Sequence, residues 1–134
     1  MTFQLDPRLA ADTVLVVDLA LCTVRLMNDR RYPWLVLVPR RDGAVEIHAL
    51  DSGDRAMLAE ETVVAAAALA AHAPGCKINI GALGNIVRQL HVHVVARRPD
   101  DAAWPGPVWG HGRAVPYDAA DADRLIATLR PLLA

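Results

Sequence analysis

The sequence predicts an α+β domain: a mostly antiparallel sheet with one long helix and a C-terminal helix. Three observations carry this. Apolar and β-branched runs at Leu21 to Met27 and Trp34 to Val38, and an alternating run that ends at Arg97, read as strands. An alanine-rich stretch from Gly53 to Ala73 and a shorter one from Ala119 to Leu129 repeat their apolar residues at helical spacing. The order of strands, helix, strands, helix belongs to the α+β class.

Each element has its own signal. Leu21 to Met27 is followed by the turn Asn28-Asp29-Arg30-Arg31-Tyr32-Pro33, and Trp34 to Val38 is apolar on both faces until Pro39, as a central, doubly covered strand would be. Asp42-Gly43 is a hairpin turn signal, which makes Val45 to His48 the expected return strand. Asp51 or Ser52 caps the long helix, Met57, Val64 and Ala68 share one face with Leu58, Ala65 and Leu69 beside it, and Pro74-Gly75 stops it. Its small-residue face suits close approach to a sheet or to its own copy in a partner chain. Cys76 to Ile80 and Ile86 to Arg97 are expected to form a hairpin through Gly81, Gly84 and Asn85. Arg98 to Pro116 holds four of the nine prolines and three glycines and reads as an ordered but irregular arm. Asp118 is the expected cap of the last helix, whose stripe is Ala122, Leu125, Ile126 and Leu129.

At 134 residues the chain is expected to be a single domain spanning 1–134. With 54% hydrophobic and 22% charged residues it can bury a core. A net charge of −1, with both signs interspersed, argues against a broad surface for duplex nucleic acid and leaves room for a pocket for one phosphate. The N-terminal residues show no basic start followed by an apolar run, and Val63 to Ala73 falls short of the roughly 20 apolar residues of a membrane span. The expectation is a cytoplasmic protein that does not engage membranes. Cys22 and Cys76 lie in segments that read as buried strands, as small hydrophobes in a reducing compartment.

The segment Gln89-Leu90-His91-Val92-His93-Val94-Val95-Ala96-Arg97 carries the chemistry. Side chains alternate along a strand, so Gln89, His91, His93 and Arg97 share an exposed face while Leu90, Val92, Val94 and Ala96 enter a core. Three readings follow. The histidines are solvent-facing residues of an edge strand. Alternatively, His91 and His93 bind a metal with His48, His111 or Asp100 as third ligand, although no spacing selects one and the face offers Arg97 and amides instead of a carboxylate. In the third reading they perform phosphoryl chemistry: neutral imidazole is a nucleophile near pH 7 and a leaving group once phosphorylated. Gln89, Asn85 and Asn79 would then donate to phosphate oxygens, with hairpin pairing bringing Asn79 beside His91.

This segment resembles the histidine-triad (HIT) motif, His-φ-His-φ-His-φ-φ, with Gln89 in the place of the first histidine. The likeness extends over Leu21 to Asn28, Trp34 to Pro39, the long helix, the Asn79 hairpin and the loop Asp100 to Gly110, in the family's order. The resemblance implies a HIT-like antiparallel sheet with two helices, usually as a homodimer, and chemistry without a metal or other cofactor. It implies that His91 attacks the α-phosphate of a small-molecule nucleotide and forms a nucleotidyl-histidine intermediate, and that His93 contacts phosphate oxygens or the leaving group. Asn79 and Asn85 match positions that hold phosphate, and Asn28 matches the residue that bonds the ribose hydroxyls. Gln89 can orient the nucleophile through hydrogen bonds but does not titrate near neutrality. The alternatives are a nucleotide-binding module without turnover and a metal-dependent enzyme using His91 and His93.

Other residues have competing readings. Trp104 and Trp109 either pin the arm to the core, or stack on a base or fold over the pocket of the neighbouring subunit, and Trp34 reads as core. His111, between two glycines, is an exposed histidine or one that reaches the leaving group. Arg97 contacts phosphate or pairs with Asp100 or Asp101. Arg30-Arg31 and Arg40-Arg41 read as solvated turn charge, and His48 and His72 have no assigned role.

Overall fold

The computed structural model describes residues 2–134. In chain order they form α1 (Pro7–Asp12), β1 (Thr13–Asp18), β2 (Cys22–Met27), β3 (Trp34–Pro39), α2 (Ser52–His72), β4 (Lys77–Gly81), β5 (Val92–Arg97) and α3 (Ala119–Leu133). The strands make one antiparallel sheet in the order β1-β2-β3-β5-β4. This is the α+β architecture expected.

Both faces of the sheet are covered, which explains why every residue of β3 is buried. On one face Val24, Leu26, Leu35, Leu37, Val92 and Val94 pack against Leu58, Ala65 and Leu69 of α2 and Ile126 and Leu129 of α3. On the other, Trp34, Val36, Val38 and Val95 pack against Leu9 of α1 and against Ala103 and Val108 of the arm. No helix is long and apolar enough to cross a membrane among the described residues.

The Asp51 carboxylate caps α2 by accepting from Asp54 N at 2.8 Å. Its neighbour Glu61 is buried at 6% exposure and accepts from the backbone N–H groups of Leu21 and Cys22 at 2.9 and 2.7 Å. One carboxylate thus ties the middle of α2 to the turn that opens β2.

Several expectations are corrected. Val45 to His48 is not a strand. Both edges of β3 are already paired, with β2 and β5, so a return strand has no free edge there, and the chain makes one 3₁₀ turn at Ile47–Ala49. The second hairpin strand begins at Val92, not Ile86, because β4 ends at Gly81 opposite His93 and leaves the upstream residues unpaired. Hairpin register sets Asn79 opposite Val95, not His91. Asp118 sits at the N-cap of α3 without a side-chain bond, and the helix runs past Leu129 to Leu133. Cys22 is buried in β2, whereas Cys76 precedes β4 and is half-buried; both are free thiols.

Candidate active site

The face that carries His93 and Arg97 is not open to solvent. The arm from Arg98 onward lies across it, so His91, His93 and Arg97 are all buried. Arg97, 1% exposed, fastens the arm: it pairs with Asp101 at 2.7 and 2.9 Å and donates to Gly106 O at 2.8 Å and Asn79 Oδ1 at 2.9 Å. Of its two expected roles, pairing with Asp101 is the one observed, and the same network uses the Asn79 amide oxygen.

Between the arm, α1 and the 82–91 loop lies a cavity of about 620 Å³. Leu9, Asp29, Arg31, Trp34, Asn85, His91, His93, Trp109 and His111 all contribute to its walls. Its size suits a nucleotide-sized ligand, since small-molecule pockets span roughly 300–1,000 Å³. A smaller cavity of about 380 Å³, bordered by Glu46, His48 and Arg55, meets His91 from the 3₁₀-turn side.

His91 Nδ1 lies 2.6 Å from the carbonyl oxygen of Gln89. A carbonyl only accepts, so Nδ1 carries the proton and Nε2 presents its lone pair, with no hydrogen-bond partner among the described residues. His91, expected on an exposed face, is only 7% accessible, just before β5, because the arm covers it. The His91 and His93 rings meet edge-on, 4.9 Å between centroids.

His93 has the opposite tautomer. The Trp34 indole N–H donates to its Nδ1 at 3.0 Å, which leaves the ring proton on Nε2. Trp109 lies against the same ring with centroids 5.4 Å apart, and Trp34 and Trp109 meet edge-on at 90°. Burial in this aromatic box, with His91 beside it, pushes the His93 pKa down to about 3. Trp34 is therefore core, as expected, and also holds a site residue. Gly81 makes room for the box: a Cβ there would stand 2.9 Å from Trp109 Cη2.

Gln89 turns away from the cavity. Its Oε1 accepts from Asp6 N and its Nε2 donates to Gln4 O, both at 2.8 Å, so the amide docks the N-terminal segment as a backbone peptide would. Asn28 also faces elsewhere, with its Oδ1 accepting from Tyr117 N at 2.9 Å. Of the six residues singled out from the sequence, His91, His93 and Asn85 line the cavity, and Gln89, Asn28 and Asn79 hold its walls.

Asp29, 1% exposed, was missed. It lines the cavity and binds Arg31 through Nε and Nη2 at 3.0 and 2.9 Å, with Val115 N at 3.3 Å. Burial raises its carboxyl pKa, but the Arg31 guanidinium and the amides of Arg31 and Val115 outweigh that and hold it below the usual carboxylate range. Arg31 is thus no solvated turn charge. The signal available was an Asp-x-Arg turn directly before the central strand. Trp104 stacks over the Arg97 guanidinium, whose carbon lies 5.7 Å from the ring centroid, so of the two tryptophans only Trp109 reaches the cavity. No group of three His, Cys, Asp or Glu side chains converges among the described residues.

This antiparallel sheet of five strands has the α+β architecture of the histidine-triad class of proteins. The HIT domain family model matches residues 8–100, and the chain belongs to the HIT family. A histidine triad protein from Sinorhizobium meliloti 1021 is 52% identical with a TM-score of 0.95, over 97% of this chain and 96% of that one. A histidine triad protein from Bradyrhizobium japonicum is 45% identical with a TM-score of 0.97, over the whole of both chains. One from Marinobacter aquaeolei VT8 is 44% identical with a TM-score of 0.96, over 99% and 97%. No curated protein matches the chain.

Proposed function

We propose that the protein hydrolyses a nucleoside monophosphate linked through its α-phosphate to a leaving group, by way of a nucleotidyl-histidine intermediate on His91. One observation carries the reading: Nδ1 of His91 is committed to the Gln89 carbonyl, which leaves Nε2 as a free nucleophile on a cavity of nucleotide size. Attack by Nε2 on phosphorus expels the leaving group, and water then displaces the imidazole to release the monophosphate. His93 Nε2–H and the Asn85 amide donate to the phosphate oxygens, and the Asp29 carboxylate accepts from ribose hydroxyls. Gln89, Asn28 and Asn79 serve this chemistry from behind, by fixing the N-terminal segment, the arm and Arg97.

The same reading makes the protein a cytoplasmic homodimer, supported by its free thiols, by the unpaired outer edge of β4 and by exposed Ile80 and Val63. Analytical ultracentrifugation tests the dimer.

The function is tested by following release of AMP from an adenosine 5′-phosphoramidate in EDTA, parent against His91→Ala. Turnover by the parent alone supports a nucleophilic histidine working without metal. Nucleotide binding without turnover would make the protein a binding module, and activity removed by EDTA would make it a metal enzyme of His91 and His93.

A further inference from the structure

The phosphoryl-transfer reading leaves one requirement unmet. An amine expelled from phosphorus carries away the bonding electron pair and departs readily only if it receives a proton. The motif residues do not supply it. Gln89 has no titrating group, and both ends of its amide are bonded to the N-terminal segment. His93 has its Nδ1 lone pair occupied by the Trp34 indole and keeps one proton, on Nε2, as a neutral donor. Asp29 is held as an anion by Arg31, and Arg31 as a cation by Asp29. Asp12, also on the cavity, is solvent-exposed. Carboxyl groups ionise well below neutrality, whereas imidazole changes charge between roughly pH 5 and 8.

His111 is the remaining imidazole on the cavity wall. Its backbone is held by two hydrogen bonds. Its N–H donates to Val108 O at 3.2 Å, and its carbonyl accepts from Arg31 Nη1 at 2.8 Å. Gly110 and Gly112 flank it with φ of 80° and 63°, conformations in which a side chain is strained, so the chain turns sharply on either side of the histidine. Its ring makes no hydrogen bond among the described residues and is free to meet a ligand.

We propose that His111 is the general acid of this site, protonating the amine that leaves a nucleoside phosphoramidate as His91 displaces it. The assignment rests on the phosphoryl-transfer reading above. The His91 Nε2 lone pair forms the new N–P bond. The P–N bond to the amine breaks, its electron pair stays on the amine nitrogen, and that nitrogen takes the proton of the His111 imidazolium. Water then attacks phosphorus, the pair of the His91–phosphorus bond returns to Nε2, and the proton lost by water restores the imidazolium. The charged and titratable neighbours of His111 are Arg31 and Asp29 behind its carbonyl, Arg113 along the chain, and Asp12, His91 and His93 on the other cavity walls.

The experiment compares two substrates in the parent and in His111→Gln: the propylamine phosphoramidate of AMP, and the 4-nitrophenyl ester of AMP, whose phenolate leaves without a proton. For the amine substrate the variant is expected to lose about 100-fold in kcat at pH 7, the usual range of general acid catalysis. For the nitrophenyl ester the loss is expected to be at least about tenfold smaller, because no proton transfer is removed there. Equal losses on the two substrates, or none on the amine, overturn the assignment. A parent inactive on both substrates overturns the phosphoryl-transfer reading itself and the acid with it, so the two failures are distinguishable.

Discussion

The indole N–H of Trp34 and Nδ1 of His93 meet at 3.0 Å, a bond that joins adjacent strands on the cavity face and selects one tautomer of the histidine. Trp34→Phe keeps an aromatic ring and removes the donor. Its ¹⁵N spectrum is expected to show the His93 proton shared between both ring nitrogens, with activity lower by about tenfold, the scale of one lost hydrogen bond at roughly 1.4 kcal/mol. An unchanged ¹⁵N pattern would show that the indole does not set the tautomer.

Gly81 and Trp109 make a similar pair. A methyl group at position 81 stands 2.9 Å from Trp109 Cη2, with the six-membered ring of the indole directly in its path. Gly81→Ala is expected to push Trp109 off His93, destabilise the fold by about 1–3 kcal/mol as overpacking does, and raise KM. Thermal unfolding and steady-state kinetics check both, and a variant with parental KM would remove Trp109 from the substrate wall.

The Gln89 amide makes one donor and one acceptor bond to the segment around Asp6. Gln89→Ala removes both, for an expected loss of about 1–3 kcal/mol. Amide exchange should accelerate at Asp6 and at the start of α1 before it does in the sheet. Exchange rates at Asp6 equal to the parent's would refute the docking role.

Glu61 satisfies two buried N–H groups with one carboxylate. Glu61→Ala leaves both without a partner and is expected to destabilise by about 2–4 kcal/mol, while Glu61→Gln, which keeps an acceptor oxygen, should lose less. Urea unfolding ranks the two, and a reversed order would mean that the charge itself is the unfavourable part.

The Arg97 guanidinium, bonded to Asp101, holds that carboxyl below its usual range. A depressed carboxyl contributes stability that is fully present above its unfolded value of about 3.9 and is lost as pH falls through the folded value. Asp101→Asn is therefore expected to be less stable than the parent at pH 7 and to lose less between pH 5 and pH 2. Parallel stability curves across that range would sink the linkage.

How far the sequence foretells this structure depends on where each signal resides. β3 and α2 are legible because their information is local: an unbroken apolar run ended by proline, and a capped alanine-rich helix ended by Pro-Gly. β1 is not legible as a strand, because a register shift between Leu15 and Val17 breaks its alternation. α1 had a local signal, Asp6 capping a helix with proline in its first turn, but six residues are too few to show a periodicity. The segment of His91 and His93 is legible as a motif, yet its burial is not, since the arm that covers it comes later in the chain. Asp29 shows the same limit: beside two arginines it looks like turn charge, and its place on the cavity wall depends on the arm, whose Val115 N donates to it.

The HIT domain match ends at residue 100, and Val108, Trp109 and His111 reach the cavity from beyond it. His91 and His93 therefore lie within the matched domain, while the opposite wall comes from the arm, which is fastened at Arg97 and at the 28–31 turn. Such a division puts the shape of one cavity wall and the placement of the two histidines under separate stretches of sequence. Exchanging the arm between those two anchor points would reshape that wall and leave the sheet as it is.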